Sequence, residues 1–185
     1  MLNSFYDKFI FTSGLKYQHN NFYLLNLPFV IMPVQALAAI AEQNDAKLGK
    51  QIYYAVKDAV RAGMKKEFSV DFGVQGDKGL EFMETFFSAS GWGKVQRTNM
   101  DVSQTRALVT VTNSPVAMEA KKAKMPVDTF IRGFLAGIFS NYFKTDVECV
   151  EVKCLALGEK ECDFVVKPAK DFDFSKKAVK EQLDV

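Results

Sequence analysis

Apolar residues recur along this chain at two different periods, and the change of period divides it. The first half is helical in pattern. After an N-terminal stretch that reads as a short helix or strand, Leu15-Lys-Tyr17 and Phe22–Leu27 flank the turn-prone Gln-His-Asn-Asn and predict a hairpin. Pro33 opens a helix that runs to Ala41. A second helix is expected over Leu48–Met64, with Ile52, Ala55, Val56, Ala59 and Val60 at helical spacing. Residues 72–79, rich in glycine, read as a loop. A third helix follows through Phe82, Met83, Phe86 and Phe87 and ends at Gly91-Trp92-Gly93.

Beyond that point the pattern alternates. Lys94–Met100 and Arg106–Thr112 predict two strands, the second with Ala107, Val109 and Val111 on one face and stopped by Asn113-Ser-Pro115. Glu119–Lys124 reads as a charged, exposed connection. The clearest helix is expected over Pro126–Phe143, where Val127, Phe130, Ile131, Phe134, Leu135, Ile138, Phe139 and Tyr142 form one stripe. A second stripe is small: Thr129, Gly133, Ala136, Gly137 and Ser140. Glycine inside a helix costs about 1 kcal/mol relative to alanine, so two of them four apart point to a close backbone approach, read here as helix packing within the domain. Two strands, Val147–Leu157 and Cys162–Lys167, join at Gly158-Glu-Lys. After Pro168 a Lys- and Asp-rich tail carries a last short helix with Ala178, Val179 and Leu183, capped by Ser175.

Composition then narrows the function. The 185 residues suit one domain spanning 1–185, with 168–185 as a C-terminal tail. A net charge of +2 argues against a nucleic-acid binder. The most apolar window, Phe22–Ala41, is broken by Asn26, Pro28, Pro33 and Gln35, so no membrane span is expected, and no signal peptide is recognisable. Both point to the cytoplasm. Phenylalanine is abundant, with 17 copies beside one Trp and one His. This describes a Phe-rich core or a Phe-lined cavity, and composition does not separate the two.

All three cysteines, Cys149, Cys154 and Cys162, cluster near the end of the domain. An odd number closes no disulfide framework and suggests metal or redox chemistry in a reducing compartment. The segment from Glu151 to Phe164 places a carboxylate and two thiols across one predicted hairpin, and folding at Gly158 can bring Cys154 and Cys162 together. Zinc takes thiolate and carboxylate ligands in tetrahedral sites. On an ideal strand Glu151 and Cys154 face opposite ways, so a shared ion requires a bulge or bend between them. Spacing alone equally allows two buried cysteines and an exposed glutamate. Residues 73–79 do not form a phosphate loop, His19 lies alone in a polar turn, and Lys65-Lys66 and Lys121-Lys122 read as solvated surface.

The pattern E-x-x-C-x-x-x-G-x-x-x-C-x-F, here Glu151, Cys154, Gly158, Cys162 and Phe164, resembles the 4-vinyl reductase domain family. The likeness runs from about Leu15 to Val166 and includes Pro126-Val127-Asp128, the Gly133-Phe134-x-Ala136-Gly137-x-x-Ser140 helix, Ser90-Gly-Trp-Gly93 and Asn113-Ser-Pro115. The family includes small archaeal hydrocarbon-binding proteins and the sensor domains of aromatic-responsive activators, and is related to core subunits of the TRAPP tethering complex. The resemblance implies an α+β (α/β two-layer) fold, an antiparallel sheet packed with several helices, of the NO-signalling and Golgi-transport ligand-binding type. It also implies a structural zinc held by Glu151, Cys154 and Cys162. The fourth ligand position, a Cys in the aromatic sensors, is Asp128 here; Cys149 is the rival. A lone Asp at a helix start is otherwise explained by the helix dipole.

The resemblance further implies an apolar ligand cavity beside the hairpin and a homodimer. Ile138 and Cys149 carry over to the cavity by position; Phe86, Trp92 and Phe134 join them by aromatic character. The expected function is binding or sensing of a hydrocarbon or other apolar small molecule. The alternatives are an enzyme or accessory protein acting on a vinyl tetrapyrrole, and an assembly subunit. No catalytic residue is assigned, since no nicotinamide or flavin motif and no acid–base pair stands out.

Overall fold

The computed structural model describes residues 15–24, 27–71 and 76–183. The expected N-terminal helix or strand lies outside them. Strands β1 (Leu15–Gln18) and β2 (Asn21–Leu24) form the predicted hairpin. His19 and Asn20 both take left-handed backbone angles, φ 50° and 63°, which a two-residue hairpin turn requires. Where one strand was expected to reach Leu27, β3 (Leu27–Phe29) instead folds back on β2 and completes a small three-stranded sheet.

Helix α1 (Val34–Ala41) follows Pro33 as anticipated. Helix α2 (Ala46–Asp71) is longer than its apolar stripe suggested. Asp45 caps its start, accepting from the amides of Lys47 and Leu48 at 2.9 and 3.1 Å. Helix α3 (Gly76–Ala89) begins inside the expected loop: Gly76–Gly79 is helical, with Asp77 in a first turn that favours an acid.

Strands β4 (Lys94–Asp101), β5 (Arg106–Thr112), β6 (Glu148–Lys153) and β7 (Cys162–Lys167) form an antiparallel sheet ordered β4-β5-β7-β6. Ala107, Val109 and Val111 are all buried, as the alternation required. Between β5 and the long helix sits α4 (Pro115–Glu119), in a stretch where the sequence pattern shows Asn113-Ser-Pro115 only as a strand stop. Ser114 accepts from the Ala117 amide and Pro115 occupies the first turn. In the stretch expected to be exposed, Ala120 is fully buried.

Helix α5 (Thr129–Phe143) starts three residues later than its apolar pattern, with Asp128 at the N-cap. It lies against β6 and β7, and α2 packs across its other side. The small stripe explains this crossing. A Cβ at Gly133 would stand 2.8 Å from the Tyr53 carbonyl oxygen, and one at Gly137 would stand 2.8 Å from the Lys57 carbonyl oxygen. No side chain fits there, so the glycines serve packing within the domain. Helix α6 (Lys177–Leu183) docks on β6 and α2, burying Val179, Gln182 and Leu183. Ser175 does not cap it; its hydroxyl donates to Asp173. Among the described residues Phe82, Phe86, Phe87, Phe139, Phe164 and Phe172 are buried in the core, each contributing roughly 1.5–3 kcal/mol. No described helix is long and apolar enough to cross a membrane.

Candidate functional site

Strand β6 is an edge strand, and its outward backbone groups are met by side chains rather than by water. The Cys149 amide donates to the Tyr53 hydroxyl at 2.9 Å, and its carbonyl accepts from Arg132 Nε at 3.1 Å. Two residues on, the Glu151 amide and carbonyl pair with the side-chain amide of Gln182 at 2.9 and 2.8 Å. Three elements, α2, α5 and α6, thus close the edge and fix the strand.

The required irregularity is present. The β6–β7 register shifts between Glu151 and Lys153, so Val152 bulges and Glu151 and Cys154 meet on one side. Strand β6 ends there. Leu155–Leu157 forms a single 3-10 turn, and Gly158 takes φ 95°, a conformation suited to glycine, before the chain returns in β7. The ligating atoms of Glu151, Cys154 and Cys162 all lie within 4.8 Å of one another, and all three residues are buried. The Leu155 amide donates to Cys162 Sγ at 3.3 Å.

Asp128 lies beside this group but is not one of the three residues whose donor atoms converge. Although it occupies the N-cap of α5, its carboxylate makes no capping bond. Its Oδ1 accepts from the Ser114 hydroxyl at 2.7 Å, and it lies within hydrogen-bonding reach of Cys162. Its backbone amide donates to Glu151 Oε2 at 3.0 Å. The N-terminus of α5 favours an acid at this position, and its side chain is turned to Ser114 rather than to the helix amides. Cys149 is buried on β6; like Asp128 it is not among the three residues whose donor atoms converge, and unlike Asp128 it has no hydrogen bond with Cys162 or Cys154 among the described residues.

The electrostatics of these four residues are unusual. Burial pushes the Asp128 carboxyl up, against the Ser114 and Cys162 hydrogen bonds. Burial pushes the Glu151 carboxyl far up, with the neighbouring Asp128 and Cys154 adding to it. Cys162 is raised by its contact with Cys154 and by burial. Cys154 is drawn down to about 6, first by the hydrogen bond from Cys162 and then by that from Glu151. Outside the group, burial pushes Cys149 well up, and Arg132 and Lys57 offset only part of that.

Polar satisfaction gives a test of fit. Among the described residues, two buried side-chain oxygens, Asp128 Oδ2 and Glu151 Oε1, have no nitrogen or oxygen partner and are left with the neighbouring thiols of Cys162 and Cys154. Each carboxylate thus has one oxygen anchored by a nitrogen or oxygen donor and the other left to a thiol. Two such carboxylate oxygens beside two thiol sulfurs form a donor set that a cation completes, and two oxygens with two sulfurs is a set that zinc accepts.

One cavity adjoins this site, and a second lies farther off among the described residues. The larger is an open cleft enclosing about 660 Å3 of unfilled space, solvent included, walled by Leu37 and Ile40 of α1, Leu48 and Ile52 of α2, Trp92, and the start of α5. Asp128 and Val127 belong to its wall. The smaller, about 280 Å3, lies between α3, α5, β4 and β5 and is lined by Phe87, Leu135, Ile138 and Phe139. The five residues assigned to a single pocket are thus dispersed. Trp92 lines the cleft and Ile138 the smaller cavity. Phe134 stands between them, its ring centroid 6.2 Å from Trp92 and 4.7 Å from Phe87. Phe86 packs against Phe29 and Phe87, and Cys149 is embedded in β6; neither lines these two cavities. Sequence reasoning missed Ser114, Arg132 and Gln182. Asn113-Ser-Pro115 carried a signal for the first, and nothing in the pattern marked the other two.

With this geometry in place, comparison with known proteins is informative. Residues 108–168, from β5 through the end of β7, match the vinyl-4-reductase domain model, in agreement with the 4-vinyl reductase resemblance. That match begins at Leu108, so the earlier part of the resemblance rests on the fold. The chain superposes on the phenol-responsive sensory domain of the transcription activator PoxR, solved with phenol, at a TM-score of 0.75 and 12% identity, over 98% of each chain. It superposes on a vinyl-4-reductase family protein from Methanocaldococcus jannaschii at a TM-score of 0.51 and 18% identity, over 75% of this chain and 83% of that one. No curated protein matches the sequence. The fold is therefore that of vinyl-4-reductase-type domains, mixed α/β with antiparallel sheets, as expected.

Proposed function

We propose that this chain is a small-molecule sensor domain in which a structural zinc, held by Asp128, Glu151, Cys154 and Cys162, braces one wall of the ligand cleft. The observation that supports this reading is a shared wall: Asp128, buried beside the Glu151–Cys154–Cys162 cluster with one carboxylate oxygen lacking a nitrogen or oxygen partner, also lines the larger cleft. Of the two, the cleft is the one that borders the start of α5 and Asp128. The walls are mainly aliphatic and aromatic, which suits an apolar ligand. The match to the vinyl-4-reductase domain and the likeness to a phenol-responsive sensory domain support the same role.

When bound, the zinc supplies charge neutralisation and a cross-link. The protein residues supply four donors, so no position is left for substrate or water, and the role is structural. Ser114 and the Asp128 amide hold the two carboxylates in place, the Leu155 amide supports Cys162, and Gln182 ties the strand to α6. A ligand pressing on the start of α5 would move Asp128 and be felt across the hairpin.

Native mass spectrometry of the protein purified without chelator tests the ligand half of this proposal, together with Gly49→Phe. Gly49 lines the cleft, and a Cβ there meets nothing closer than 3.9 Å, so the ring enters open space. The expected result is an added organic mass in the wild type, absent in the variant while the metal remains. An organic mass retained unchanged in the variant would place the ligand elsewhere.

A further inference from the structure

The cleft contains an uncompensated charge. Arg132, on α5, is 3% exposed and lines the cleft. Its Nε donates to the Cys149 carbonyl and its Nη2 to the Gln182 carbonyl at 3.0 Å, and its guanidinium lies 4.5 Å from the Tyr53 ring centroid. Neither hydrogen bond uses Nη1. Among the described residues, no carboxylate lies within ion-pair distance of Arg132.

The acids nearby are engaged elsewhere. Glu148 pairs with Lys57 at 2.8 Å and accepts from Tyr53, and Asp146 pairs with Lys57 and Arg61. Of the acids lining the cleft, Asp45 caps α2, Glu181 pairs with Lys177, and Asp128 is held by Ser114. A buried guanidinium satisfied by carbonyls alone keeps its full charge in a medium of low dielectric, where charges are normally paired. Its planar fork fits a carboxylate better than it fits a neutral hydroxyl.

We infer that the cleft takes an amphipathic carboxylic acid, its carboxylate on Arg132 and its apolar body along Leu37, Ile52 and Trp92. This inference rests on the cleft being the ligand site and names the class of ligand. Lys50, the other cation lining the cleft, has a partner of its own, so the charge left to Arg132 matches a monoanion. An aliphatic or aromatic tail matches the walls, and a neutral hydrocarbon would leave the charge uncompensated.

Trp92 is the chain's single tryptophan, so its fluorescence reports on the cleft directly. Decanoate and 1-decanol, which share a chain and differ in the head group, are titrated into the full-length, metal-loaded protein. Decanoate is expected to bind at least about tenfold more tightly, and Arg132→Lys to weaken decanoate by about tenfold while leaving decanol little changed. The wild-type comparison stands even if the variant does not fold. Equal affinities would overturn the carboxylate assignment and leave the cleft as a site for neutral ligands. A Trp92 signal that answers to neither probe would overturn both the assignment and the cleft reading.

Discussion

Two buried glutamates three residues apart on strand β6 meet opposite fates. Glu148 is closed within the protein: Tyr53 donates to one oxygen and Lys57 to the other at 2.8 Å. Glu151 has one oxygen on the Asp128 amide and one with no nitrogen or oxygen partner among the described residues. The first is a finished structural ion pair. The second is half of a site, and its neighbours, an aspartate held in the same way and two cysteines, are donors rather than counter-ions. Burial alone does not mark function on this strand; incompleteness does.

That contrast can be broken in four ways, the largest effect first. Chelation of the metal should lower stability by at least about 5 kcal/mol, against ~10–16 kcal/mol measured for structural zinc in small peptides, because a full core remains to hold the fold. Thermal melting with and without chelator reads this directly. Glu148→Gln removes the buried one of the two carboxylates on Lys57, leaving the exposed Asp146, and should cost roughly 3 kcal/mol in urea unfolding, with zinc content unchanged. If zinc is lost as well, the two glutamates belong to one unit and the comparison fails.

Gly137→Ala sets a Cβ against the Lys57 carbonyl and should cost about 1–3 kcal/mol, again without loss of metal. The smallest change sharpens the contrast most. In chelated protein Glu151→Gln should alter stability by no more than about 1 kcal/mol, since a neutral amide replaces a carboxylate with one oxygen already left to a thiol. The same variant should no longer gain stability when zinc is added. A large cost in the chelated state would show that Glu151 is structural in its own right.

Much of this was legible in the residues. The spacing of Glu151, Cys154 and Cys162 carried the donor group, and strand alternation demanded the bulge that the β6–β7 register shows. The pairing of Gly133 with Gly137 announced the α2–α5 crossing. What stayed hidden depends on long-range packing. Gln182 reaches Glu151 across 31 positions and Ser114 reaches Asp128 across 14, and neither residue type in its local context signals such a partner. The placing of the aromatic residues was hidden for a related reason. Aromatic character says that Phe86, Trp92 and Phe134 are apolar and large, while only the crossing of α3, α5 and the sheet decides which cavity each ring faces. The start of α3 was hidden because three of its first four positions, Gly76, Asp77 and Gly79, are weak helix formers.

The central claim is that four side chains from three parts of the chain hold one zinc. Its most direct test is metal content by native mass spectrometry for the wild type and Cys162→Ser, each purified without chelator and each checked for folding by circular dichroism. The account requires one zinc per wild-type chain and none in the variant. A folded, metal-free wild type whose melting temperature is unmoved by added zinc would contradict it.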